Sequence, residues 1–423
     1  MTVIGLDDTD SRERGMCTTY VAATLADAIR EAGGQVQRRL LVRLNPAVEH
    51  KTRGNAALAL HTDLDADGAL TLAREHLDLA ETDDPDTNPG VVVAPDDPER
   101  IDERVAAFAR EALRGYHGIE DAVDLAAETG YETAHAGDGR GRIGALAAVG
   151  AWRALEEWTY ECLSYRERER WGTPRSVDDD SVFAAAEAAY PDAWDTVDRG
   201  EGYAVCVPRT PCPILHGIRG DDPETVRAMA DAIESEPVVN RATFVTNQGT
   251  DVHLRQVAGF ADAADGRAYR VDCEVVGDPE TREGGHVFCP VTSDDGARVA
   301  VAAFEPTKRF RDRVRALRAG DRITACGELS AGTLKLEKFA VRDLVETEPA
   351  TPTCPDCGRS MASAGADQGY RCRDCSTSAP GKVERELDRD LELGWYEVPP
   401  CARRHVAKPL VRGGFDAPVH PER

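Results

Sequence analysis

Lysine is nearly absent from this chain. Its 423 residues include six, Lys51, Lys308, Lys335, Lys338, Lys382 and Lys408, and arginine supplies the other fixed cations. With a net charge of −25, that scarcity excludes a broadly basic surface able to hold nucleic acid by charge alone. A nucleic-acid partner is not excluded. An acidic, lysine-poor composition fits a cytoplasm rich in salt, where charges are screened within about a few ångströms and recognition rests on shape, stacking and hydrogen bonds. Also lacking is any apolar run near the roughly 20 residues of a membrane span, and Met1 leads into a strand-like run rather than a signal peptide. We therefore expect a soluble, cytoplasmic protein with no membrane partner. No GxxxxGK[ST] is present, which excludes an ordinary P-loop ATPase. Cys17, Cys162, Cys206, Cys212, Cys273, Cys289, Cys326 and Cys401 have no framework spacing, as expected of free thiols in a reducing compartment.

What the chain does have is apolar patterning for several cores. Hydrophobic residues make up 41%, and the length predicts three or four domains. VIGL reads as a buried strand, and Val21, Leu25, Ala28 and Ile29 as one helix face ended by Gly33 and Gly34. RRLLVRL, AALALHT and VVVAP read as strands, with helices around Gly68 to Ala80 and Pro98 to Leu113. That order predicts an α/β or α+β domain. ETDDPDTNPG reads as loop. From about Gly118 to Val245 come a helix after GRGRIGALAAVGAW, a second around Val182 to Ala189, the strand YAVCVP, a helix after DDPETVRAMADAI and the strand VNRATFVTNQ, predicting a small α+β sandwich. TPCPILHGIRG reads as a Pro-rich turn and flexible loop, either a connection or part of a substrate pocket.

YRVDCEVV, HVFCPVTS, RVAVAAF, RITACGEL and TLKLEKFAV are five strand-like runs. Between the third and fourth lies TKRFRDRVRALRAG, a helix with Phe310, Val314 and Leu317 on one face and Gly320 as its stop. That is the plan of an OB-fold barrel, with a generic β-barrel as the alternative. After the linker ETEPATPT, Cys354, Cys357, Cys372 and Cys375 form two CxxC knuckles that can present four thiolates to one structural zinc. A charged helix from about Gly381 to Glu392 and a basic tail follow. Lys308, Arg309 and Arg311 on the barrel helix, and Arg403, Arg404 and Lys408 in the tail, are candidate RNA contacts, or else faces that pair with acids elsewhere.

The catalytic candidate is the loop after the first strand. Asp7, Asp8, Thr9 and Asp10 lead to Thr18 and Thr19 at a helix start, an arrangement suited to a nucleotide with magnesium on Asp7 and Asp8. A threonine cap beside a solvated acidic loop is the plainer alternative. HKTRGNAA adds Lys51, the one lysine before Lys308, beside Arg53 and Asn55, suited to a phosphate clamp. GRGRIG matches GxGxxG, but no clear strand precedes it, and Arg140 and Arg142 are its possible phosphate contacts.

These pieces, in this order, resemble the archaeal tRNA(Ile) 2-agmatinylcytidine synthetase family. The matching stretches are GLDDTDSRERGMCTTY, RLNPAVEHKTRGNAA, TNPGVVV, GRGRIGALAAVGA, TPCPILHGIRG, EGGHVF, AAFEPTKRFR, the cysteine knuckles and YEVPPCARRHVAKPL. The resemblance implies a multidomain α/β and α+β chain: a kinase-like catalytic domain at 1–117, a ferredoxin-like domain at 118–248, an OB-fold at 265–346, a zinc ribbon at 350–378 and a C-terminal helix and tail at 379–423. It implies an ATP-dependent ligase that joins agmatine to the wobble cytidine of an isoleucine tRNA through a phosphorylated cytosine. Thr18 matches the family threonine that becomes phosphorylated, Asp7, Asp8 and Asp10 its acidic metal-binding motif, and Lys51 and Arg53 its second signature. ATP, magnesium and zinc are the implied cofactors, the anticodon loop and agmatine the implied partners, and DNA is not expected. Two rivals stand beside this. An aspartyl-phosphate phosphatase would open on DxD, as Asp8-Thr9-Asp10 does, but needs a later lysine beside the phosphate, and none follows Lys51 until Lys308, inside the barrel. A non-catalytic OB-fold and zinc-ribbon nucleic-acid-binding protein leaves the acidic loop unexplained.

Overall fold

The computed structural model describes residues 1–49, 51 and 54–423. β1 (Thr2–Asp7) is followed by α1 (Thr18–Glu31), β2 (Val36–Arg43), β3 (Ala56–Thr62), α2 (Ala66–Leu77), β4 (Gly90–Ala94), α3 (Glu103–Ala112), α4 (Ile119–Thr129), β5 (Glu132–His135) and α5 (Gly141–Ala154). β1 lies between β3 and β4, antiparallel to both. Its run is unbroken in hydrophobicity because both faces are covered: Val3 joins the core of α3, α4 and α5, while Ile4 and Leu6 join that of α1 and α2. The expected break at residue 117 therefore falls inside a packed unit. β5 pairs with β4, and α5 packs on β1, β3 and β4. A short strand, β5, does precede GRGRIG, at the exposed sheet edge.

β6 (Thr159–Arg166), α6 (Asp179–Ala189), β7 (Ala193–Trp194), β8 (Val197–Asp198), β9 (Tyr203–Ala204), β10 (Ile214–Gly220), α7 (Pro223–Ala232) and β11 (Val238–Thr246) come next. Their order β11-β6-β10-β7, with α6 and α7 packed into one core, is that of a ferredoxin-like sandwich. β11 also pairs in parallel with β2 through Val245 and Thr246, so both units share one nine-stranded sheet. Three local readings change. YAVCVP contributes only Tyr203–Ala204 to a strand. ILHGIRG is not a flexible loop but β10, paired with β6 and β7. β6 itself, from TYECLSYR, was not anticipated.

β12 (Leu254–Gln256), β13 (Arg267–Val275), β14 (Glu280–Thr281), β15 (Val287–Ser293), β16 (Arg298–Ala303), α8 (Phe310–Arg315), β17 (Arg322–Ser330) and β18 (Thr333–Asp343) follow. β13 pairs with β15, β15 with β16, β16 with β18, β18 with β17 and β17 with β13, closing a five-stranded barrel with α8 after the third strand. Phe310, Val314 and Leu317 are buried in it. α8 is shorter than expected because Pro306 and the positive φ of Lys308, 51°, interrupt the segment before it.

β19 (Thr347–Ala350) pairs with β23 (Val383–Glu386), flanking the ribbon strands β20 (Ala362–Ser363), β21 (Tyr370–Arg371) and β22 (Ser378–Ala379). Two expectations fall with that pairing. Half of the linker ETEPATPT is strand, and the charged helix from Gly381 is absent, since VERE lacks an apolar stripe and finds a strand partner instead. Nor is the tail free. β24 (Gly394–Glu397) joins β18, and β25 (Val419–His420) joins β24. Among the described residues no helix is long and apolar enough to cross a membrane.

Candidate active site

The end of β1 delivers Asp7 to a tight turn. Asp8 has a φ of 60°, and its backbone N–H donates to Asp7 Oδ1 at 2.7 Å. Asp8 Oδ2 accepts from the Asn88 N–H at 3.1 Å and lies 3.5 Å from the Arg140 guanidinium. The turn then closes through Ser11, whose N–H donates to the Gly15 carbonyl at 2.8 Å, and enters α1. Cys17, not a threonine, is the N-cap, and it makes no capping hydrogen bond through its side chain. Thr18 is thus spared the capping role. It is buried, and its Oγ1 accepts a hydrogen bond from the Thr9 hydroxyl at 3.1 Å.

α5 comes up against this turn from the other side, and glycines make that possible. A Cβ on Gly144 would lie 1.8 Å from Asp7 Oδ2, and one on Gly90 2.1 Å from the Arg142 nitrogen. Gly141 and Gly144 of GRGRIG therefore let α5 come close to Gly90, Asn88 and Asp7. Arg140 reaches the cavity, whereas Arg142 turns back to the Gly139 carbonyl at 3.0 Å.

Asp7, Asp8, Asp10, Thr18, Lys51 and Asn55 all line one cavity of about 850 Å³. Thr9 does not; it is fully buried behind Thr18. Lys51 donates to the Pro46 carbonyl, and burial, then Arg404, pulls its pKa down. Asn55, at a φ of 46°, donates to the Asn45 carbonyl at 2.7 Å. Arg53 lies outside the described residues. Burial pushes the Asp7 carboxyl well above its ordinary range, with Asp8 adding to the shift. Burial likewise raises Asp8 to about 6, against the pull of Arg140 and the Asn88 amide. Adjacent acids in this condition favour a cation.

A second group of lining residues was not foreseen. It comprises Glu161, Arg43, Arg219 and His405, and among the described residues Glu161 is the one lining carboxylate outside the acidic loop. Its Oε2 accepts from Gln248 Nε2 at 2.6 Å and lies 3.9 Å from Arg43. The charge of Arg43, then burial, holds His405 well below its ordinary pKa, so that ring is neutral. A β-rich run carrying one acid, TYECLSY, was the available signal.

The proposed RNA cations are mostly engaged within the protein. Arg403 is buried against Asp195 and Glu397, which makes it cavity wall rather than an outer RNA face. Arg404 reaches Glu328 and Glu337, Arg309 lies 3.1 Å from Asp198, and Lys408 lies 3.6 Å from Glu157. Lys308 faces Glu305 and Glu201 at 3.5 and 3.9 Å, while Arg311 donates to the Gly285 carbonyl at 2.9 Å. In so acidic a chain, a basic cluster finds internal partners first. The ligand atoms of Cys354, Cys357, Cys372 and Cys375 lie within 4.8 Å of one another, the one such group of three or more among the described residues. Backbone N–H groups of Cys375 and Asp374 favour the thiolate at Cys372, while the neighbouring thiols push Cys357 and Cys375 upward, as crowded sulfurs do with no cation among them.

An acidic strand-to-helix turn beside a buried threonine, an OB barrel and a four-cysteine ribbon in one chain are the parts of a nucleotide-using, RNA-directed protein. Family models described as the TiaS TCKD domain, the TiaS FLD domain and the TiaS C-terminal zinc ribbon domain match residues 3–68, 139–253 and 351–391. The isoleucine-tRNA 2-agmatinylcytidine synthetase TiaS of Haloquadratum walsbyi is 54% identical over the whole of both chains, and that of Methanosarcina mazei 46% identical over 97% of each. A crystal structure of TiaS in complex with its isoleucine tRNA and ATP superposes with a TM-score of 0.90 at 39% identity, covering 100% of this chain and 99% of that one. A complex of TiaS with the tRNA, AMPCPP and agmatine gives 0.88 at 37% identity, with the same coverage. The chain belongs to the TiaS family of isoleucine-tRNA 2-agmatinylcytidine synthetases.

Proposed function

We propose that this protein, in the cytoplasm, joins agmatine to the wobble cytidine of an isoleucine tRNA at the expense of ATP. The observation that carries this reading is the meeting of Asp7, Asp8, Asp10, Thr18, Lys51 and Asn55, from separate stretches of a family member, on one cavity. Thr18 accepts a phosphoryl group on Oγ1. The Thr9 hydroxyl occupies one lone pair of that oxygen and fixes its rotamer, so the Thr18 proton is left to face elsewhere. Lys51 and Arg140 answer phosphate charge. Asp7 and Asp8 fit magnesium, since two adjacent carboxylates forced up by burial are relieved by a divalent ion. When bound, that ion neutralises phosphate charge.

The chemistry needs an activated pyrimidine. The phosphoryl group passes from the nucleotide, which departs with the electrons of the broken phosphorus–oxygen bond, to Thr18 and from Thr18 to the cytosine carbonyl oxygen, turning a poor leaving group into phosphate. The amine nitrogen of agmatine then forms a bond to the ring carbon, the carbon–oxygen bond breaks with its electrons going to phosphate, and the amine proton passes to a base. To enter the cavity the cytidine must leave its stack, at a cost of about a few kcal/mol that contacts elsewhere on the tRNA offset.

Calorimetry tests the nucleotide half of the reading. ATP with magnesium should bind the full chain at high potassium, and absence of any heat of binding would leave only an RNA-docking scaffold. Thr9→Val removes the hydroxyl that orients Thr18. We expect phosphorylation of Thr18 to slow by about tenfold while ATP affinity holds; an unchanged rate would detach Thr9 from the mechanism. The four cysteines fit a tetrahedral zinc. Elemental analysis should find one zinc per chain, and chelation should unfold the ribbon without melting the barrel, whose core is separate.

A further inference from the structure

Arg175 makes a set of contacts that the reaction above does not use. Its Nε donates to the Ile214 carbonyl at 2.8 Å and its Nη1 to the Pro208 carbonyl at 2.7 Å. Its Nη2 donates to the Thr210 and Cys212 carbonyls at 3.0 and 3.4 Å and lies 3.1 Å from Cys212 Sγ. One guanidinium thus gathers four carbonyls from a seven-residue stretch, 208–214. That stretch needs outside support. Pro211 and Pro213 have no N–H to give a ladder, and the pairing of β10 with β6 shifts register between Ile214 and His216.

Arg175 is itself held in place. The carbonyls of Thr173 and Pro174 accept from Arg166, whose guanidinium is fully buried in a two-pronged pair with Glu236 at 2.7 and 3.0 Å. The Ser176 N–H donates to the same carboxylate at 2.9 Å. Contacts therefore run from a buried ion pair, through residues 173–176, to the 208–214 stretch.

Pro208, Thr210, Cys212 and Ile214 line the cavity. The stretch borders the acidic loop, since a Cβ on Gly15 would lie 3.4 Å from the Pro211 carbonyl oxygen. It then leads along β10 to Gly217, where a Cβ would lie 3.0 Å from Glu161 Oε1. Among the described lining residues, Glu161 is the one carboxylate outside the acidic loop that a cationic amine could meet.

We propose that Arg175 is a positioning residue: by pinning the carbonyls of Pro208, Thr210, Cys212 and Ile214 it holds the stretch of cavity wall that runs from beside the acidic loop to Glu161 and shapes the amine side of the cavity. This rests on reading the chain as an agmatine-transferring enzyme. The test uses full-length Arg175→Lys and Arg175→Ala with tRNA, ATP, magnesium and agmatine at high potassium. Phosphorylation of Thr18 without agmatine is followed separately from kcat and KM for agmatine. KM should rise by about tenfold or more while Thr18 phosphorylation stays within about twofold, and added guanidinium should restore KM in Arg175→Ala but not in the parent. An unchanged KM, a parallel loss of Thr18 phosphorylation in both variants, or no response to guanidinium overturns the proposal. Failure of the parent itself to transfer agmatine defeats the functional reading instead. Hydrogen exchange at residues 210, 212 and 214 then still decides the pinning: faster in the variants supports it, unchanged refutes it.

Discussion

Thr18→Ala abolishes transfer of agmatine to the tRNA and leaves the tRNA bound. The hydroxyl is the group that accepts phosphorus, and removing such a nucleophile lowers turnover by on the order of a thousandfold or more. The fold should survive, because the helix does not depend on Thr18 for its cap; Cys17 holds that position. A secondary cost does arise. Thr9 is fully buried and loses its acceptor, which costs about 1–3 kcal/mol of stability. Thr18→Ser keeps the oxygen and should keep most of the transfer, separating chemistry from stability. Radiolabelled agmatine incorporation, beside filter binding of the tRNA, checks all three statements. Full transfer by Thr18→Ala would remove the residue from the mechanism.

The second large effect belongs to a glycine. In Gly144→Ala the new methyl would lie 1.8 Å from Asp7 Oδ2 and 2.6 Å from its carboxyl carbon, so either α5 or the acidic turn must move. Overpacking of this kind costs about 1–3 kcal/mol, and a displacement of about 1 Å at a reacting centre costs about a hundredfold in rate. We expect a folded protein with transfer down by about a hundredfold. Gly150→Ala, on the same helix but meeting the Val105 carbonyl oxygen at 2.4 Å, should lower the melting temperature and leave activity per folded molecule near the parent's. Equal activity losses in the two variants would show that Gly144 acts through stability alone.

The parts read most directly from the sequence were those whose signal is local. The cysteine spacing states its own coordination, VIGL followed by acids marks a buried strand and its turn, and five alternating runs with one inserted helix spell the barrel. What escaped was set by distant pairing. The shared sheet rests on two residue pairs between β2 and β11, some 200 positions apart in sequence, which no window can register. The packing role of Gly144 escaped because it depends on Asp7, more than a hundred positions earlier in the chain. The ion pairs of Arg403 with Asp195 and Glu397 escaped because charge is visible in a sequence whereas its partners are not. Glu161 escaped with its strand.

The central claim is that the acidic turn and Thr18 spend ATP to place an amine on a pyrimidine of tRNA. Its most direct measurement is incorporation of radiolabelled agmatine into isoleucine tRNA by the intact protein at high potassium, with and without ATP. The account predicts incorporation at the wobble cytidine only when ATP is present; no ATP-dependent product would contradict it.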